Sequence, residues 1–150
     1  PAFWIDMSLL YEHYVLGALR KAYGPKIVYQ ANVTKGKPDF LYVDGERPLI
    51  LDTKYKPRYG AGTFDVEDIR QLAGYARVLK RLGIQDAEEQ DSAVVPCVII
   101  YPEVRGGDVK FDGSHSLIDQ VRLGVAPIGE FVGFYRMGFS LPVLKFNRQI

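Results

Sequence analysis

The chain is 150 residues long, the length of one domain with room for a buried core. Apolar residues make up 47% and charged residues 25%, ordinary globular proportions that exclude a disordered, collagenous or coiled-coil chain. The formal net charge is +1, so bulk charge selects no partner; residues 1–85 nevertheless hold 13 Lys+Arg against 9 Asp+Glu, and residues 86–150 hold 6 against 9.

Residues 1–150 read as a single domain. A start at Pro1 without Met is read as a fragment of a longer protein. The lone Cys97 rules out an intrachain disulfide and a thiolate cluster, and its place in Val94-Val95-Pro96-Cys97-Val98-Ile99-Ile100 suits a small buried hydrophobe. No apolar stretch reaches membrane-spanning length and no signal peptide precedes the first helix, so the expected location is cytoplasmic with no membrane partner.

In chain order, Asp6 to Tyr23 predicts a helix capped by Asp6 or Ser8 and ended by Gly24-Pro25. Ile27 to Ala31 predicts a short strand, and Lys35 to Pro38 a polar turn. Phe40 to Val43 and Leu49 to Tyr55 predict two strands, with Asp44-Gly45-Glu46-Arg47 as a hairpin loop between them. Lys56 to Gly62 is a loop. Asp65 to Leu82 predicts a second helix, acidic in its first turn, basic in its last, and closed by Gly83. Beyond it come an acidic loop at Asp86 to Ser92, a strand at Ala93 to Tyr101 with a start or kink at Pro96, and a helix at Ser116 to Leu123. Val109 to Phe111 and Phe131 to Tyr135 are short strand candidates. This order implies an α/β domain with a mixed sheet between helices.

The hairpin carries the chemistry. If Val43 pairs with Pro48, Asp39 falls opposite Asp52, and Lys54 projects from the same face. Two facing carboxylates repel unless a divalent cation converts repulsion into coordination, and hard ions such as Mg²⁺ take oxygen ligands. Asp52 ends the apolar run Leu49-Ile50-Leu51, where an unpaired charge is costly. Thr53 points to the other face, with its carbonyl a further metal-ligand candidate. On the first helix, Ser8, Leu9, Val15, Leu16 and Leu19 project within about 60° of Glu12, so a carboxylate sits on the apolar face. It is either a rim residue paired with a Lys or Arg, or a third metal ligand. On the second helix Gln71 and Tyr75 share one face. Arg70, Arg77 and Arg81 lie on a neighbouring face with Gly74, either a solvated stripe or an approach for a phosphate backbone.

Pro38-Asp39 followed by Asp52-Thr53-Lys54 resembles the PD-(D/E)xK nuclease superfamily, and Gln71-Leu72-Ala73-Gly74-Tyr75 resembles the QxxxY motif of its RecB-like members. More closely, Lys37-Pro38-Asp39-Phe40, the stretch from Leu49 to Lys56, and the stretch from Asp68 to Ala76 resemble the nuclease domain of the McrC family. Ser8 to Val15 is similar to the helix that opens that domain. The resemblance covers roughly residues 6–83. It implies a restriction-endonuclease-like PD-(D/E)xK core and a Mg²⁺-dependent DNA endonuclease, Mn²⁺ substituting, with a McrB-like GTP-hydrolysing motor as partner. Asp39 and Asp52 carry over as metal ligands and Lys54 as the catalytic lysine. Glu12 joins them as a catalytic and metal-ligand candidate, and Gln71 and Tyr75 place the site or the strand. Lys56, Arg58, Arg70 and Arg77 are the expected phosphate contacts. A double-strand cut calls for a dimer or a partner-assembled pair. The chain has no Gx₄GK[ST] loop for a nucleotide and lacks the cysteines of the iron–sulfur relatives. Two alternatives fit the same residues: a RecB-like exonuclease or stand-alone restriction nuclease, and a non-catalytic DNA-binding or assembly domain that keeps the fold.

Overall fold

A computed structural model describes residues 4–30, 37–44, 47–56, 64–81, 95–103, 110–129, 131 and 133–142. Helix α1 (Met7–Tyr23) opens the fold, with the Asp6 side chain accepting from the Leu9 backbone N–H at 3.1 Å. That capping bond is the one the sequence offers, and Gly24 ends the helix at φ 56°, in the left-handed region that favours glycine. A short 3-10 turn (Gly24–Lys26) leads into β1 (Ile27–Tyr29). Then follow β2 (Phe40–Asp44), β3 (Arg47–Thr53), α2 (Val66–Arg81), β4 (Cys97–Tyr101), α3 (Leu117–Gly124), β5 (Ala126–Pro127) and β6 (Phe134–Gly138).

The described strands form one mixed sheet in the order β1-β2-β3-β4-β6-β5. The pairs β1–β2, β2–β3 and β5–β6 are antiparallel; β3–β4 and β4–β6 are parallel. The central strands read as continuous apolar runs because both their faces are covered. Leu49 and Leu51 join Tyr11, Val15 and Leu19 of α1 in one core, while Ile50 joins Ile69, Leu72 and Tyr75 of α2 in the other. The α/β expectation with a mixed sheet flanked by helices is met.

Val43 pairs with Pro48, the predicted register, and the strands run one pair further to Asp44 opposite Arg47. Asp44 is held there by Tyr42 Oη at 2.9 Å and Lys26 Nζ at 3.2 Å. Other boundaries differ from expectation for local reasons. Strand β1 stops at Tyr29 because Gln30 takes φ 48° and turns its N–H onto the Asp39 carbonyl. Strand β4 starts after Pro96, which has no N–H to donate to a ladder. Lys110 to Asp112 forms no strand; the Asp112 carbonyl is taken by Gln120 Nε2 at 2.8 Å. Strand β6 begins three residues later than predicted, after turns shaped by Gly129 and Gly133 at φ 50° and 78°. The Leu82, Gly83 and Asp86–Ser92 expectations lie outside the described residues.

Gly113 lies against the end of α1, where a Cβ would run into the backbone of Ala22. Among the described residues no helix is long and apolar enough to cross a membrane.

Candidate active site

Strand β3 delivers its carboxylate at the end of its apolar run. Asp52 is 3% exposed and lies beside Ile99 of β4 in the ladder. The Lys54 backbone N–H donates to the Ile100 carbonyl at 2.9 Å, so the strand geometry carries on through Lys54. Alternation then sets Asp52 and Lys54 on the face covered by α2. Asp39 stands one pair beyond Phe40–Leu51, and its N–H donates to Asp52 Oδ1 at a long 3.4 Å. The Asp39 carboxylate is gripped by Thr53: Oδ2 accepts from the Thr53 N–H at 2.8 Å and from Thr53 Oγ1 at 2.7 Å. The Thr53 hydroxyl is thus a holder of Asp39, a role the sequence reading did not give it.

Lys54 Nζ lies 2.6 Å from Asp52 Oδ2 and donates to Gln71 Oε1 at 3.1 Å. The contact with Asp52 is close but off line. It is an ion pair without hydrogen-bond geometry, and the buried Asp52 Oδ2 has no hydrogen-bond partner among the described residues. Gln71 and Tyr75 both face this cluster from α2, and Tyr75 is buried. The QxxxY spacing thereby puts an amide on the lysine and a phenol behind the amide.

Glu12 reaches the cluster from α1. It is buried, accepts from Tyr29 Oη at 3.0 Å, and feels the Asp39 carboxyl beside it. Burial, then the Asp39 carboxyl, push the Glu12 carboxyl up to about 7, with Asp52 adding to the repulsion. Burial, then Asp39, push Asp52 up to about 6, against the opposing pull of Lys54. For Lys54 burial works downward, but Asp52 and the carboxylates of Asp68 and Asp39 outweigh it and hold the ammonium form. The ion pair favours charge on both partners; Asp52 moves the other way because burial, with Asp39 beside it, outweighs the pull of Lys54.

Three carboxylates therefore press on one another here. They do not form a ready three-ligand cluster: among the described residues no group of three His, Cys, Asp or Glu is set to hold a metal ion. The donor chemistry nonetheless fits a hard divalent cation such as Mg²⁺. Every group at the site that could bind it is an oxygen, and one buried oxygen, Asp52 Oδ2, is met only by the Lys54 ammonium without hydrogen-bond geometry.

No family profile matches the chain, and no curated protein matches it. Among solved structures it is similar to a chain of an assembly of Thermococcus gammatolerans McrB AAA+ hexamers with bound McrC, with a TM-score of 0.57 at 16% identity. The match covers 95% of this chain and 30% of that one, so the chain spans under a third of the solved chain's length. At this identity the likeness is one of fold.

The expected phosphate contacts fare differently. Lys56 Nζ is engaged by Asp65 Oδ2 at 3.1 Å and by both oxygens of Asp68 at 3.0 Å. Arg70 is exposed and pairs with Glu67 at 2.6 Å, one turn back on α2. Arg77 is exposed on the same helix, and Arg58 lies outside the described residues. Cys97 is fully buried, and burial pushes its thiol up to about 12, which fits the hydrophobe reading.

Two site residues escaped the sequence reading. Tyr29 touches Glu12 from β1, and Asp68 is buried between Lys54 and Lys56. The signal for Asp68 was its place three residues before Gln71, on the face of α2 that meets β3. Its position in the first helical turn instead suggested a partner for the helix dipole.

Proposed function

We propose that the chain is a Mg²⁺-dependent DNA endonuclease domain of PD-(D/E)xK type, the cleaving component of a McrBC-type restriction system. One observation carries the reading: Asp39, Asp52, Lys54, Gln71 and Glu12, drawn from four elements and separate stretches of sequence, converge at the end of β3. The fold likeness to a chain of a McrB–McrC assembly supports the partner assignment, a McrB-like motor.

Asp39, Asp52 and Glu12 would hold the cation, with the Thr53 carbonyl as a further oxygen. When bound, it supplies Lewis-acid polarisation of a phosphodiester oxygen and lowers the pKa of water. Thr53, through its N–H and hydroxyl, fixes the Asp39 carboxylate so that one of its oxygens stays aimed. Tyr29 Oη orients Glu12 Oε2 in the same way. Lys54, kept as an ammonium, offsets the charge that builds on the attacked phosphate. Gln71 Oε1 and Tyr75 hold Lys54 within the site from α2. Arg77 stands ready for a flanking phosphate, and any such contact would make affinity fall steeply with salt.

A second reading has its own support. Lys54 closes on Asp52 at 2.6 Å and no three-ligand group stands ready among the described residues, as in a DNA-binding or assembly domain that keeps the fold without cutting. Supercoiled plasmid incubated with Mg²⁺ or Mn²⁺, alone and then with a GTP-hydrolysing partner on methylated DNA, separates the readings. Cleavage dependent on the partner and GTP supports the McrBC assignment. Cleavage without either points to a stand-alone or RecB-like nuclease. A folded protein that binds DNA and never cuts it is the second reading.

A further inference from the structure

Lys54 and a divalent cation want the same atom. Asp52 Oδ2 is buried and is contacted by the Lys54 ammonium at 2.6 Å. A divalent cation on the same oxygen repels an ammonium at that distance, and a water-poor site screens the repulsion weakly. A metal on Asp52 Oδ2 therefore drives Lys54 away, and an ammonium that leaves its partner inside a protein needs another acceptor at once.

The acceptors are in place. Gln71 Oε1 already accepts from Lys54 Nζ at 3.1 Å, and Asp68 Oδ1 lies 3.9 Å from the same nitrogen, within ion-pair range but short of contact. Asp68 is itself buried and anchored through Lys56, whose ammonium touches both of its oxygens at 3.0 Å and also Asp65. The Lys56 N–H donates to the Lys54 carbonyl at 2.9 Å, so a tight turn sets the two lysines around the one aspartate. A shift of about 1 Å of a flexible lysine tip suffices to close the gap to Asp68.

Resting on the nuclease reading, we propose that Asp68 is the exchange partner of Lys54: it receives the ammonium when Asp52 Oδ2 is given over to a divalent cation. Asp68 is then a positioning residue that acts through Lys54 and does not touch the cation or DNA. Lys56 sets how much of Asp68 is available, which gives it a role inside the protein.

Calorimetric titration with Mn²⁺ tests this without DNA and without catalysis, on the wild type, Asp68→Asn, Lys54→Met and the double variant. Asn keeps an acceptor for Lys56, and unfolding curves confirm the fold. Asp68→Asn weakens Mn²⁺ binding about tenfold when Lys54 is present and has little effect in the Lys54→Met background, because the competitor is gone. Asp65→Asn, which removes the same formal charge beside Lys56 and keeps an oxygen for the Glu67 N–H, changes Mn²⁺ affinity less than Asp68→Asn. Lys56→Met removes a competitor for Asp68 and tightens Mn²⁺ binding, again only while Lys54 is present; it reads the same exchange should Asp68→Asn not fold. Equal weakening by Asp68→Asn in both backgrounds means simple charge loss and overturns the proposal, as does unchanged binding by a folded Asp68→Asn. A folded wild type that binds no divalent cation sinks the nuclease reading as well, so the two failures are told apart.

Discussion

Lys54 Nζ stands 2.6 Å from Asp52 Oδ2, on an oxygen buried beneath α2 that finds no hydrogen-bond partner among the described residues. The pair is strained in its electrostatics: burial and the Asp39 carboxylate together outweigh the pull of the one lysine on Asp52. A fold selected only for stability would replace such a carboxylate with an apolar or amide side chain. The cluster of Glu12, Asp39 and Asp52 is therefore where function and stability pull apart.

Asp52→Asn tests that opposition. We predict that cleavage is abolished and divalent-cation binding weakened, while the unfolding free energy at pH 8 rises by about 1 kcal/mol as the buried charge is removed. Urea unfolding with EDTA, paired with plasmid cleavage, reads both. Loss of folding with unchanged activity per folded molecule would refute the catalytic role.

The pH dependence follows from the same groups. Glu12 is raised from 4.5 to about 7 and Asp52 from 3.8 to about 6, so each is easier to protonate folded than unfolded. Their stabilising contribution is fully present below the unfolded pKa values, near 4, and is lost as pH rises through 6 and 7. Asp44 and Asp112 shift downward: hydrogen bonds from Tyr42 and Lys26 lower the first, bonds from Ser114 the second. These two lose their contribution only as pH falls below the ordinary carboxylate range. With EDTA present, Tm should therefore be higher at pH 5 than at pH 8, and Mg²⁺ should narrow the difference. A metal-free Tm that climbs steadily from pH 5 to pH 8 speaks against the crowded-carboxylate site.

Tyr29→Phe removes the donor that orients Glu12 Oε2 and leaves the ring that packs on Phe40. We expect kcat to fall about tenfold with KM for DNA little changed, and stability to move by about 1 kcal/mol or less. Steady-state kinetics on a defined duplex check it; an unaltered kcat removes Glu12 orientation from the account.

Tyr42→Phe probes the fold rather than the site. Tyr42 Oη donates to Asp44 Oδ2 at 2.9 Å and accepts from the Leu117 N–H at 3.3 Å, tying β2 to the start of α3. Removing the hydroxyl strands a buried N–H, for a loss of about 1–3 kcal/mol. Chemical denaturation measures it, and a neutral substitution contradicts the tie.

The part of the site nearest the hairpin was legible in the sequence because strand alternation is unforgiving. Once Val43 faces Pro48, Asp39, Asp52 and Lys54 must share a region, and the structure pairs them that way. Glu12 was legible as a carboxylate on an apolar stripe, since one helix period leaves it nowhere else to go. The helix start at Asp6 followed from capping chemistry. What periodicity could not reach were contacts between distant elements. Tyr29 meets Glu12 across 17 residues, and Asp68 meets Lys56 across 12, through packing of α1 and α2 on opposite faces of the sheet. Lys56 read as a phosphate contact because its two acidic partners lie on a different element. Strand β6 was placed three residues early because Gly129 and Gly133 turn the chain before its ladder begins, and the two-residue β5 was not read as a strand.

Whether this cluster cuts DNA is read from Mg²⁺-dependent cleavage of supercoiled plasmid by the wild type and Lys54→Ala, with and without a GTP-hydrolysing partner. We expect cleavage by the wild type, its loss in EDTA, and a fall of at least about 100-fold in a folded Lys54→Ala. Cleavage by Lys54→Ala at the wild-type rate, or none by a folded wild type under any of these conditions, would contradict the nuclease reading.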